Sequence, residues 1–82
     1  MRRYKNTEAR VLEKLICNKC GKEIPIYQGR PQEGVLHVRK VWEYMSEKDG
    51  TEDSFDLCES CYDALTESFR VPPARREVTE LL

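Results

Sequence analysis

The sequence predicts a small α+β domain, and three observations carry that prediction. Two Cys-x-x-Cys pairs, Cys17–Cys20 and Cys58–Cys61, are separated by 37 residues. Within that interval, an alternation of apolar and polar residues around a turn signal is typical of a β-hairpin. The second cysteine pair opens a stretch with apolar residues at helical spacing. At 82 residues the chain has room for one such domain and a limited core.

The four cysteines have the spacing of a closed metal site. A two-residue spacer lets both sulfurs of a short turn reach one ion, and two such pairs supply four thiolates for tetrahedral zinc. We therefore expect one structural Zn²⁺, with iron in a rubredoxin-like site as the alternative. The ligands would be Cys17, Cys20, Cys58 and Cys61.

Two disulfides in a secreted protein are another way to use these cysteines. The chain opens on charged residues rather than on a basic and then apolar leader, which favours a cytoplasmic protein. Its longest apolar run is too short to span a membrane. Because only 39% of the residues are hydrophobic and 35% are charged, we expect the metal to hold the fold together. A structural zinc site can supply about 10–16 kcal/mol of folding free energy.

The chain divides into three parts. We predict a basic mobile arm over residues 1–9, a zinc-binding domain over residues 10–71 and a C-terminal tail over residues 72–82. Apolar positions 11, 12, 15 and 16 fit one helical face, but their place directly before Cys17 favours a strand. We expect a strand and leave a helix open.

A turn follows the first cysteine pair, in which Gly21 can take the positive φ that a zinc knuckle requires. Residues 23–27 continue as an extended segment, and Pro25 restricts that segment to a sheet edge or a loop. Residues 28–34 contain two glycines, one proline and no apolar residue, which predicts a loop.

The hairpin is predicted between Leu36 and Leu57. One strand alternates from Leu36 to Met45, residues 46–50 supply an Asp-Gly turn, and the return strand begins at Glu52. A helix beginning at Glu59 should follow, with Arg70 near its end and Val71-Pro72-Pro73 stopping it. Its apolar stripe contains Cys58, Cys61, Tyr62, Leu65 and Phe69.

A knuckle, a hairpin and a helix carrying two ligands resemble the treble-clef zinc fingers. The resemblance covers roughly residues 15–70 and depends on Cys17, Cys20 and Gly21 in the knuckle and on Cys58, Cys61 and Tyr62-Asp63-Ala64-Leu65 at the helix. A zinc ribbon is the alternative, and the layout is also similar to that of small uncharacterised bacterial zinc proteins. Treble clefs serve catalysis, nucleic-acid binding and protein contact alike, so the resemblance implies no single function.

Enzymatic roles have little support. An HNH-type treble-clef nuclease would need further metal-binding residues beside a catalytic histidine, and His37 is the single histidine. Four thiolates leave zinc no open position for a substrate water. A redox Cys-x-x-Cys is usually found in a βαβ context, which is missing. We expect no enzyme and no small-molecule substrate, with His37 exposed on a strand.

The acidic group Glu47, Asp49, Glu52, Asp53 and Asp56 lacks calcium-loop spacing, and we expect it to be a solvated surface.

The charge is polarised along the chain. Residues 1–22 carry seven Lys/Arg and two Glu, whereas residues 43–67 carry one Lys and nine Asp/Glu. The basic segment makes nucleic-acid binding one function hypothesis, with Tyr4 and Tyr27 available for stacking on bases. The net charge of −1 argues against it. The candidate contacts are Arg2, Arg3, Lys5, Arg10, Lys14, Lys19 and Lys22.

Protein–protein interaction is the hypothesis that we favour. The chain has more apolar residues than one hairpin and one helix should cover, which indicates a homodimer or a protein partner. The alternative is that the N-terminal segment and the tail close over the monomer's own core. The apolar set contains Val11, Leu12, Leu15, Ile16 and Val78, and the candidate interaction surface contains Trp42, Tyr44, Leu81 and Leu82.

Overall fold

The computed structural model describes residues 1–5 and 11–78. In this part of the chain, three antiparallel strand pairs precede one helix, which agrees with the predicted small α+β class. The pairs are β1–β2, β3–β4 and β5–β6. The elements are β1 (Arg2–Tyr4), β2 (Leu12–Leu15), β3 (Ile26–Tyr27), β4 (Arg30–Pro31), β5 (Val35–Val41), β6 (Glu52–Cys58) and α1 (Glu59–Glu67).

The predicted strand before Cys17 is confirmed as β2, but its pairing partner was not expected. Arg2 pairs with Leu15 and Tyr4 pairs with Leu12, so residues 2–4 form a strand where the sequence predicted a mobile arm. Residues 6–9 of that arm lie outside the described residues, as does Arg10. β2 also contributes to the core, because its Leu12 and Leu15 side chains are buried.

A small hairpin replaces part of the loop predicted over residues 28–34. Ile26 pairs with Pro31 and Tyr27 pairs with Arg30 around a two-residue turn. Both turn residues have positive φ, 53° at Gln28 and 76° at Gly29, as a type I′ turn requires. The sequence did not predict this turn because glutamine seldom adopts the left-handed conformation.

The predicted hairpin between Leu36 and Leu57 is confirmed as β5–β6. Leu36 pairs with Leu57 and Val38 pairs with Phe55, so the apolar residues of both strands share one face. The first strand is shorter than predicted, however, because β5 ends at Val41. Tyr44 and Met45 therefore lie in the connecting loop rather than on a strand.

Helix α1 begins at Glu59 as predicted and ends at Glu67, earlier than predicted. Arg70 consequently lies beyond the helix. The helix ends where the Ser68 hydroxyl and backbone N–H both donate to the Leu65 carbonyl, at 2.6 and 3.1 Å. Among the described residues, no helix has the length and apolar character needed to cross a membrane.

The core of the described residues is small. Its aliphatic members are Leu12, Leu15, Ile24 and Leu57, and three of the four cysteines are buried with them. For Leu12 and Leu15, the structure thus agrees with the alternative in which the N-terminal segment covers the monomer's own core. Ile26, Val35, Leu36 and Phe55 pack against this core and remain partly exposed.

A buried carboxylate joins the N-terminal strand to the hairpin. Asp56 on β6 is 1% exposed. Its Oδ1 accepts a hydrogen bond from Arg2 Nε at 2.9 Å and lies 2.9 Å from His37 Nδ1. Burial alone would raise the pKa of Asp56, but the hydrogen bonds from its cationic neighbours outweigh that effect and lower the pKa. Asp56 was predicted to be part of a solvated acidic surface, and that prediction is wrong.

Replacing Asp56 with asparagine should therefore lower the stability of the metal-loaded protein. Hydrogen bonds to charged groups contribute about 1.5–3 kcal/mol each, and we expect a loss of that size in denaturant unfolding at pH 7. A carboxyl group with a lowered folded-state pKa stabilises the fold above its unfolded-state pKa. The difference between wild type and variant should hold from neutral to mildly acidic pH and shrink below the usual carboxyl range.

Glu13→Gln is the matched control for Asp56→Asn. Glu13 pairs with Arg3 at 3.3 Å on the surface, where its side chain is 40% exposed. Exposed pairs contribute about 0–1 kcal/mol, so this variant should change stability little. Equal losses in the two variants would contradict the role given to the buried carboxylate.

Candidate metal centre

The four cysteine sulfurs converge on one point. The four Sγ atoms lie within 4.8 Å of one another, and Cys20 Sγ is 3.8 Å from Cys58 Sγ. A tetrahedral site with Zn–S bonds of about 2.3 Å requires sulfurs about 3.8 Å apart. A disulfide would require about 2.05 Å. The spacing between Cys20 and Cys58 is thus that of two ligands of one ion, as the sequence predicted.

The first two ligands are held by a tight turn. Cys17 follows β2, and its N–H donates to the Lys22 carbonyl at 2.9 Å while its carbonyl accepts from the Gly21 N–H at 2.9 Å. Gly21 has the predicted positive φ, 82°, and a Cβ placed there would meet no atom within 4 Å. Glycine is therefore favoured at this position by the backbone conformation alone.

The other two ligands lie at the junction of β6 and α1. Cys58 is the last residue of β6 and the N-cap of α1, and Cys61 is in the first turn. Backbone N–H groups at a helix N-terminus favour negative charge on nearby sulfurs. In agreement, the Cys61 backbone lowers the pKa of Cys58.

Asn18 connects the two halves of the site. Its N–H donates to the Asp56 carbonyl at 2.8 Å, and the Asp56 N–H donates to Asn18 Oδ1 at 3.0 Å. These reciprocal bonds tie the turn that carries Cys17 to the strand that leads into Cys58. Distant parts of the chain are thereby positioned for the metal by contacts that do not involve the metal itself.

The thiols differ in how readily they lose a proton. Burial acts to raise the pKa of Cys17, but backbone N–H groups around it, those of Cys20 and Cys58 foremost, lower it to about 6. Burial together with the neighbouring sulfurs raises the pKa of Cys61 to about 12. Four anions in one place repel each other, so complete deprotonation needs a compensating cation.

The four cysteine thiols form a ligand set for a metal ion that prefers sulfur. Thiolates select zinc, iron or Cu(I) over hard cations, and a tetrahedral S₄ arrangement is typical of structural zinc. Cys17, Cys58 and Cys61 are buried, whereas Cys20 is exposed at the surface. The cluster can therefore hold one ion at the base of the hairpin, with one ligand facing solvent.

Several predicted nucleic-acid contacts are engaged in ion pairs. Arg2 pairs with the buried Asp56, Arg3 with Glu13 at 3.3 Å, and Lys22 with Glu33 at 2.6 Å. The hydrogen bond and charge of Glu33 raise the pKa of Lys22. Lys5, Lys14 and Lys19 are the other described members of this set.

The residues of the predicted interaction surface differ in their exposure. Trp42 is half-buried, with its Nε1 donating to Asp53 at 2.8 Å and Lys48 Nζ lying 4.9 Å from the ring centroid. Tyr44 is 85% exposed in the loop. Leu81 and Leu82 lie outside the described residues.

Sequence reasoning missed the roles of Asn18 and Asp56. A signal for Asp56 was available, since pairing Leu36 with Leu57 places Asp56 opposite His37 on the other face of the hairpin. His37 was expected to be exposed, and its side chain is 42% exposed while contacting Asp56. No comparable signal identified Asn18, because its contacts depend on the tertiary fold.

Cys61→Ser should abolish tight metal binding and leave a poorly folded chain. The expected loss is comparable to the whole net stability of a small domain, about 5–15 kcal/mol. Circular dichroism and elemental analysis of the purified protein measure the two effects. Ala64→Ser, on the exposed side of α1, should cost only about 0.5 kcal/mol and keep the metal. A folded, metal-free Cys61→Ser protein would show that the site is not structural.

Gly21→Ala should destabilise the metal-loaded protein through backbone strain. Left-handed conformation costs an L-residue about 1–2 kcal/mol, and the open space around Gly21 adds no steric term. Gly21→Asn should recover part of that loss, because asparagine tolerates this conformation better. Chemical denaturation would compare the two, and equal stabilities would argue against the conformational explanation.

Comparison with models of known protein families, with curated proteins and with solved structures finds no match. The identification of a metal-binding centre consequently depends on the chain's own chemistry. Its basis is four clustered cysteine sulfurs in a small α+β fold.

Proposed function

We propose that this protein is a non-enzymatic module in which one structural zinc ion holds a protein-binding surface in place. The cluster of four sulfurs within 4.8 Å carries this proposal. When zinc is bound by all four thiolates, its tetrahedral coordination is complete. No position then remains for a substrate or an activated water, so the ion's contribution is to stability and not to catalysis.

We further assign the fold to the treble-clef type. The order of knuckle, β5–β6 hairpin and α1 supports this assignment, as does the position of Cys58 and Cys61 at the start of a helix. A zinc ribbon would place the second pair in another hairpin turn. The helix that begins directly after Cys58 favours the treble clef.

Exposed apolar side chains support binding of another protein. Tyr44, Met45 and Val71 are 85%, 91% and 80% exposed. Leu65 on α1 and Phe69, just beyond its end, are also exposed. The β5–β6 sheet has two strands, so its outer edges have no neighbouring strand among the described residues. Exposed edges and clustered apolar groups are features through which proteins associate. A second copy of this chain is one such partner.

Nucleic-acid binding is the second candidate, and the basic segment at residues 1–22 favours it. The ion pairs of Arg2, Arg3 and Lys22 weaken this candidate, because those side chains would exchange an existing carboxylate for a phosphate. The acidic residues of β6 and α1 would also repel a polyanion.

Affinity capture with the zinc-loaded protein from its own host tests the function. We expect protein partners that survive nuclease treatment and that are lost with Cys61→Ser. Light scattering measures the molar mass of the isolated protein. A mass above that of the 9.7 kDa monomer would show self-association. Capture of nucleic acid that weakens steeply with salt, with no nuclease-resistant protein and no dimer, would reject the proposal in favour of the second candidate.

A further inference from the structure

A cleft lies where the hairpin and the helix begin beside each other. It has a volume of about 280 Å³ and is lined by Gly34, Val35, Leu36, Glu59 and Tyr62. We refer to it as the β5–α1 cleft. The side chains of Val35, Leu36 and Tyr62 are half-buried and form an apolar floor. The cleft is thus suited to one aliphatic side chain from another molecule.

Glu59 lies across one end of this cleft because residue 34 has no side chain. A Cβ on Gly34 would come 2.6 Å from Glu59 Oε1. Gly34 is not among the glycines with positive φ, so its backbone conformation does not require glycine. The residue instead leaves space for the carboxylate beside the apolar floor.

Carboxylates continue from Glu59 along α1. Glu59, Asp63 and Glu67 follow one another at intervals of four residues, and none forms an ion pair with a described residue. Two basic side chains border pockets that these carboxylates also line. Lys22 is bound to Glu33, and Arg75 borders a pocket with Asp63 and Glu67 but does not pair with them. We call Glu59, Asp63 and Glu67 the acidic row.

The acidic row is unfavourable for the isolated helix. Like charges four residues apart repel each other, and Glu67 lies near the C-terminal end, where the helix dipole favours cations. The last turn of α1 contains no basic residue that would offset it. A positively charged partner would relieve this repulsion.

We propose that the β5–α1 cleft and the acidic row together dock a basic segment of a partner protein. An aliphatic side chain of the partner occupies the cleft, and neighbouring Lys or Arg side chains pair with Glu59 and Asp63. The apolar floor supplies contact area, while the carboxylates supply charge complementarity and orientation. The inference rests on the proposed protein-binding function and adds the surface and the chemistry of its partner.

The test uses a short synthetic peptide of alternating leucine and arginine, added to ¹⁵N-labelled zinc-loaded protein. We expect amide shifts concentrated at residues 34–36 and 59–63. A peptide with serine in place of leucine and one with glutamate in place of arginine should each bind at least about tenfold more weakly. Shifts centred on the loop at residues 43–50, or equal binding of all three peptides, would overturn the proposal.

Substitutions distinguish binding at this surface from nonspecific attraction to negative charge. Glu59→Gln/Asp63→Asn should weaken the leucine–arginine peptide by about tenfold, whereas Glu47→Gln/Asp49→Asn removes the same charge in the hairpin loop and should change binding little. Gly34→Ala should also weaken binding by displacing the Glu59 carboxylate. Elemental analysis confirms that each variant keeps its metal. Equal effects of the two double variants would indicate that the peptide binds through nonspecific charge attraction. That result would contradict the proposal.

The two proposals fail in distinguishable ways. If the peptide does not bind but captured proteins cross-link to the loop at residues 43–50, the docking surface is wrong and the protein-binding function stands. If no protein partner and no dimer is found, the proposed function fails, whatever the result with the peptide.

Discussion

The fold depends on bringing four sulfur atoms from two distant segments to one point. The segments are separated by 37 residues, and their sulfurs end within 4.8 Å of one another. Three parts of the fold bring the two segments together. β2 leads into the first cysteine pair, the β5–β6 hairpin returns the chain to the same place, and α1 begins with the second pair. The chain between the two pairs therefore forms a closed loop whose ends meet at the metal centre.

Hydrogen bonds beside the cysteine cluster also hold the two segments together, and these bonds do not involve a metal ion. Asn18 and Asp56 exchange two hydrogen bonds between the knuckle and β6. Asp56 also binds Arg2, which fixes β1 over the same region. Such buried charged pairs give orientation at a desolvation cost, and they are rarely strong contributors to net stability. They specify which parts of the chain meet, and we propose that a bound metal supplies most of the stabilising energy.

The small size of the core supports the proposal that a metal stabilises this fold. Only four aliphatic side chains and three cysteines form the buried core among the described residues. Two apolar side chains that could have enlarged this core remain exposed. Leu65 on α1 is 38% exposed, and Phe69, which lies beyond the end of the helix, is 44% exposed. The apolar stripe predicted through Phe69 is formed only in part by α1, because the helix ends at Glu67. Cys61 is buried and Tyr62 is half-buried, so the part of the stripe nearest the cysteines is covered. We propose that the metal holds the exposed remainder in position.

The sequence was sufficient to predict the clustering of the four cysteines, the hairpin and the start of the helix, because each has a local pattern. Cysteine spacing, alternation and helical periodicity can be recognised without knowledge of the fold. Strand β1 could not be predicted this way, since Arg2–Tyr4 is held by pairing with β2 and by the Asp56 carboxylate. The turn at Gln28 was missed because its conformation is imposed by the strands on either side. The errors therefore lie where tertiary contacts override local preference.

Titration of the metal-free protein with Co²⁺ tests the central claim most directly. Cobalt takes the same tetrahedral thiolate coordination as zinc, and its visible absorption reports the number and kind of ligands. We predict that tetrahedral tetrathiolate absorption and folding, followed by circular dichroism, rise together and saturate at one ion per chain. A chain that is already folded without metal, or a spectrum lacking four thiolate ligands, would contradict the account.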